Sequence, residues 1–122
     1  MPQVKENKAR EERITMEIIV DAYGPEEQAM GWYYYLKENL SFPFKARCIE
    51  TRAVSPLAVG EKVEVTGMPP ERECQHEVFV TVRWQDRDLA VPLSQLQPIK
   101  PDAETKEAMA DWHYWIARGY EF

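Results

Sequence analysis

The chain is short of the residues on which compact catalytic or metal chemistry is usually built. Among 122 residues there are two cysteines, two histidines and five glycines. Cys48 and Cys74 could close one bridge, but the opening MPQVKENKAREERI is densely charged and lacks the apolar core of an export signal. Both thiols are therefore expected to be reduced, in a cytoplasmic protein. No run approaches the ~18 apolar residues of a membrane span, and no Gly-rich loop could cradle phosphate. Cys74-x-His76 is a single close ligand pair, with Cys48 and His113 distant in sequence. Structural zinc normally uses two close pairs and is disfavoured. A Cys/His hydrolase has its residue types here but no local signature, so the chain reads as no enzyme. Basic residues are also in deficit, 15 Lys and Arg against 21 Asp and Glu, for a net charge of -6. That argues against a nucleic-acid binder, which needs clustered Lys and Arg, and favours cations or basic partners.

What is present is a single domain's length of chain with four Trp, six Tyr and four Phe, too aromatic for a disordered acidic tail. Residues 1–8 show no apolar period and read as frayed. From Ala9 to Tyr23 the pattern is helical, with Ile14, Ile18, Ile19 and Ala22 recurring, and Glu6/Arg10 and Lys8/Glu12 at pairing distance. Gly24-Pro25 closes that helix and opens a second, Pro25 to Asn39, with Ala29, Trp32, Tyr33 and Leu36 as its apolar stripe. The Trp32–Tyr34 run reads as core and lid. Short β patterns follow at Lys45–Thr51, Val63–Thr66, Val78–Trp84, Leu89–Leu93 and Leu96–Ile99. Five short strands in about 55 residues predict a small, strongly bent SH3-like β-barrel over residues 44–99. Asp102 is placed to cap a last helix over 101–119, with Ala108, Met109, Trp112, Trp115 and Ile116 on one side and Gly119 as its stop. The aromatic ending Tyr120-Glu121-Phe122 is expected to dock. The fold class is α+β, two helices before the barrel and one behind, in one domain.

Four runs carry a resemblance: VDAYGPEEQAMGWYYYLKENLSFPF, VGEKVEVTGM, DLAVPLSQL and DWHYWIARGYEF. Together they resemble the small acidic calcium-binding proteins of cyanobacteria, the CcbP-like family, over about Glu11 to Phe122. The resemblance implies a non-enzymatic cytosolic protein that binds Ca2+ and buffers or senses it. The rival reading is a protein-interaction module, an SH3-like monomer offering aromatics and acids to a basic protein partner.

Calcium takes roughly six to eight oxygen ligands. The EF-hand pattern is absent, because Asp86-Arg87-Asp88 is followed by Leu89-Ala90 where the loop needs a further oxygen donor and a glycine. Ligands must then come from separate elements, and three clusters qualify on chemistry. Glu38 and Asn39 end the second helix, where a carboxylate is disfavoured unless a cation reverses the sign. Glu71 and Glu73 could share one side of an extended loop, and Asp86 and Asp88 flank a tight turn, where Asp also serves its own backbone. Asp21 ends the first helix beside Glu26 and Glu27, whose place in a helix's first turn explains them without a metal. Glu17 shares a helix face with Asp21. Glu104, Glu107 and Asp111 read as a solvated acidic face of the last helix.

Overall fold

The computed structural model describes residues 5–122. Asn7 caps α1 (Lys8–Arg13) by accepting the Arg10 N–H, and donates its own backbone N–H to Tyr114 Oη at 2.8 Å. Residues 7 and 8, expected to fray, are thus held, and residues 1–4 lie outside the described residues. The single helix expected to Tyr23 is not formed. The chain passes at Ile14 into a π-helical turn, Ile14–Ile18, closed by the Ile19 N–H on Ile14 O at 3.0 Å, and helix ends there. Five of the seven residues from Ile14 to Val20 are β-branched, which lowers helix propensity. The wider turn still buries Ile14 and Ile18. The expected Glu6/Arg10 pairing also gives way, as Arg10 reaches Asp111 and Glu6 reaches Arg118.

Gly24 and Pro25 open α2 (Pro25–Asn39), and Ala29, Trp32, Tyr33 and Leu36 are all buried on it. Strands β1 (Phe44–Cys48), β2 (Lys62–Gly67), β3 (Phe79–Trp84), β4 (Arg87–Pro92) and β5 (Leu96–Pro98) form an antiparallel sheet of order β4-β3-β2-β1-β5. Period-2 burial puts Ala46, Cys48, Val63, Val65, Val80 and Val82 on its inner face. Each such valine contributes about 1.5–3 kcal/mol by leaving water. α3 (Ala103–Ala117) follows, with Asp102 accepting the Thr105 N–H as its N-cap. The tail docks as expected: Tyr120 stacks on Trp115 and Phe122 packs against Trp112 and Trp115.

The expected closed SH3-like barrel is not formed. Among the described residues β4 and β5 share no ladder. A flat five-stranded sheet would hold its edges ~19 Å apart, yet the turn Leu93–Gln95 joins β4 to β5 with three residues. That link spans at most ~14 Å, so the sheet must curl strongly. It stops short of closing among the described residues, and Pro92 and Pro98, the last residues of β4 and β5, have no N–H to add to such a ladder.

α2 approaches the turn before it closely at Gly31. A Cβ on that residue would sit 2.4 Å from the carbonyl oxygen of Ile18. In an ordinary helix interior Gly→Ala stabilises by about 1 kcal/mol. Here Gly31→Ala is expected to have the opposite sign, destabilising by about 1–3 kcal/mol through overpacking against backbone. Urea denaturation of the two proteins checks it, and an unchanged or raised midpoint would contradict the close approach.

Candidate metal centre

α2 ends where its carbonyls run out of partners. The Leu40 N–H closes on Leu36 O, and Asn39 turns its side-chain N–H back onto Tyr35 O at 2.8 Å. Glu38 stands exposed in this last turn, against the partial negative charge of the helix end.

One turn earlier, two consecutive tyrosines fasten the segment that follows β2. Tyr33 donates its O–H to Pro69 O at 2.6 Å, and Tyr34 donates to Glu71 Oε2. That hydrogen bond holds the Tyr34 phenol above the ordinary tyrosine range, and burial does the same for Tyr33. The segment is not extended, as expected above, but a 3-10 turn, Glu71–Cys74. With about three residues per turn, Glu71 and Glu73 point to different sides rather than one. Both remain exposed, and Tyr34 brings Glu71 onto α2.

The other candidates lie elsewhere. Gln85 and Asp86 both have positive φ (49° and 61°), the backbone of a two-residue hairpin turn between β3 and β4. Asp88 sits on β4 in an exposed ion pair with Arg83 at 3.3 Å, worth little in water. β3 begins at Phe79, whose N–H meets Cys74 Sγ, and runs six residues to Trp84, so the hairpin tip is ~17 Å away along the strand. Asp21 is not in a helical turn either. It follows the helix end at φ 59°, a left-handed position that Asp tolerates better than most residues. The π-helical turn also removes the α-helical face it was expected to share with Glu17.

Among the described residues no three His, Cys, Asp or Glu groups stand ready around one point. The zinc reading ends there. Cys74 Sγ bonds the Phe79 backbone, Cys48 Sγ reaches Glu50 O, and His113 Nε2 meets Leu96 O at 2.7 Å. Both thiols are free and buried, and burial pushes Cys74 up, the reverse of an activated nucleophile. Of the seven candidates, the fold gathers Glu38, Asn39, Glu71 and Glu73 onto neighbouring elements and leaves Asp86, Asp88 and Asp21 apart. None of the ion pairs among the described residues involves Glu38, Glu71 or Glu73.

Asp111 corrects the solvated-face reading of the last helix. Its side chain is fully buried, accepting from Arg10 (2.5 Å), Arg13 and Tyr35 (2.6 Å). Arg13 also pairs with Glu107. Burial first, then the bond to Asp111, pushes the Tyr35 phenol far up. Two guanidinium groups neutralise this carboxylate, so it holds α1 to α3 and is not open to a cation. The signal was present in the spacing: Asp111 falls between Ala108 and Trp115 on the apolar side of α3.

The sequence matches a family described as Calcium binding, Calci_bind_CcbP, over residues 12–116. The chain belongs to the CcbP family. Its fold is similar to the crystal structure of Anabaena CcbP at 44% identity, with a TM-score of 0.88 and full coverage of both chains. A calcium binding protein solved in the calcium-binding form is similar at 43% identity, with a TM-score of 0.87 and equal coverage. No curated protein sequence is detectably similar.

Since Asp111 serves the scaffold of this CcbP-family chain, Asp111→Asn is expected to cost about 3 kcal/mol, the lower end of the range for breaking a buried pair. Arg10 and Arg13 keep Glu107 and partial exposure as relief. Urea denaturation measures it. A loss under ~0.5 kcal/mol, the size of an ordinary surface change, would return Asp111 to the solvent face.

Proposed function

We propose that this chain is a non-enzymatic, monomeric, cytosolic calcium-binding protein whose principal site is the face shared by α2 and the 3-10 turn. Family membership supports the ion. The observation that supports the place is the hydrogen bond from Tyr34 to Glu71. It brings the acidic 3-10 turn onto α2, one helical turn before Glu38. Glu38, Glu71 and Glu73 would supply carboxylates, and Asn39 Oδ1 and the last carbonyls of α2 would supply neutral oxygens. This all-oxygen, hard donor set suits Ca2+ and not a thiolate-seeking metal. A cation there also reverses an unfavourable arrangement, acids at a helix C-terminus. Two free, buried thiols are in keeping with a reducing compartment.

The ligands are not assembled in advance, so binding must turn side chains inward. The backbone on both sides is already fixed by Tyr33 on Pro69 O and by the helix. Such a site closes locally and leaves the fold in place, which favours a buffer over a sensor. Calcium is expected to change the near-ultraviolet circular dichroism of the tyrosines and leave the far-ultraviolet spectrum unchanged. A large gain or loss of helix signal would favour a sensor.

Calorimetric titration of the metal-free protein, repeated with excess Mg2+, tests the function itself. Saturable heat that survives Mg2+ is expected. Glu38→Ala and Glu73→Ala should each weaken binding about tenfold or more, through lost ligand charge, while Asp88→Ala leaves it within about twofold. Absence of heat overturns the calcium reading. Heat lost in Asp88→Ala but kept in Glu38→Ala moves the site to the hairpin.

A further inference from the structure

Beside the candidate metal face runs a depression that shares only Glu71 with it. It begins as a small pocket of about 80 Å³ between α2 and the 3-10 turn, walled by Met30, Tyr33 and Glu71. Through Glu26 and Gln75 it continues into a wider cleft of about 390 Å³ at the start of α2. Through His76 it continues again into a basin of about 340 Å³, floored by Trp112, Trp115 and Ile116 and edged by Tyr120 and Phe122. Neighbouring hollows share lining residues, Glu26 and Gln75 and then His76, so they follow one another as a grooved surface from α2 past the 3-10 turn to the C-terminal tail. Its two ends are apolar. Met30 is 46% exposed at one end and Tyr120 42% exposed at the other, large side chains left to water.

The walls are acidic along its length. Glu26, Glu27, Glu71, Glu77 and Glu121 line the groove, against one guanidinium, Arg52. Arg52 is already engaged by both oxygens of Glu77, at 2.6 and 2.8 Å. The α2 N-terminus contributes only about half a positive charge, which two adjacent glutamates outweigh. The groove therefore offers apolar contact at each end and a negative field between them.

We propose that this groove binds a short basic segment of a partner protein, with large apolar residues flanking Lys or Arg. Charge complementarity selects it over the alternatives. A second copy of this chain would bring its own net charge of -6, and nucleic acid or an anionic membrane would be repelled. The proposal shares Glu71 with the calcium site, but Glu26, Glu27 and Met30, on which its test rests, are not among the metal ligands assigned above.

The test is fluorescence anisotropy of a labelled, end-blocked Trp-Lys-Arg-Lys-Leu peptide with the full chain, in EDTA so that metal plays no part. Saturable binding that weakens as salt is raised is expected. The paired substitution Glu26→Gln with Glu27→Gln should weaken it about fivefold to tenfold, and Met30→Ser or Tyr120→Ser should weaken it as well. Each variant is checked by circular dichroism, and the Gln pair and Met30→Ser alter exposed positions. No binding overturns the proposal. So does equal binding of a Ser-Lys-Arg-Lys-Ser peptide, which would reduce the groove to a diffuse acidic surface. Self-association lost in the same variants would make a second copy the occupant.

Discussion

Five consecutive residues of α2, Gly31 to Tyr35, tie almost every other part of the molecule together. Successive helical residues point about 100° apart, so a run of five looks out in every direction. Gly31 lets the backbone of α2 meet the carbonyl of Ile18. Trp32 enters the core, with its ring centroid 5.0 Å from Trp112 and 5.4 Å from Trp115. Tyr33 and Tyr34 hold the 3-10 turn, and Tyr35 donates to the buried carboxylate of Asp111. A helix held at these points cannot slide or turn without disturbing each neighbour. Interactions of this kind are coupled, since each fixes the geometry of the next.

That arrangement separates what could be read in sequence from what could not. Signals confined to a few neighbouring residues came through: Gly24-Pro25 between helices, Asp102 as a cap, the stripe through Ala29 and Leu36, and the docking of the aromatic tail. Each depends on local backbone chemistry or on one period. The π-helical turn was missed because its extra residue per turn leaves Ile14 and Ile18 close to the α-helical phase. Barrel closure was overcalled because strand spacing says nothing about the last ladder, to which Pro92 and Pro98 have no N–H to add. The candidate site was legible only in part. Glu71 and Glu73 could be named as candidates, but their faces could not be read, because loop backbone cannot be told from a 3-10 turn by residue type. Asp111 was misassigned by weighing its charge above its position, although Ala108 and Trp115 on either side marked a buried face.

The charges fall into two populations, and this division carries the functional argument. Arginines are largely spent on structure: Arg10 and Arg13 on Asp111 and Glu107, Arg52 on Glu77, and Arg83 on Asp88. Lys37, at the end of α2, lies over the ring of Tyr33 with its nitrogen 5.7 Å from the centroid. The carboxylates of Glu38, Glu71 and Glu73 are left without ion-pair partners among the described residues. Negative charge that the fold does not neutralise is thus left exposed on two neighbouring elements, the end of α2 and the 3-10 turn that Tyr34 fastens to it.

In the metal-free protein this is a small cost, a few tenths of a kcal/mol for each unfavourable charge near a helix end. Water and salt screen it, which is why such a cluster can persist on an exposed face. At the proposed site the same groups would become favourable once a divalent cation bound, and binding to the folded chain alone would then add stability by mass action. Asp111 makes the contrast clear. There the fold supplied its own cations and buried the carboxylate as part of the core. At the end of α2 Glu38 stays in water without an ion-pair partner among the described residues, and in the proposed site its countercharge would arrive from solution.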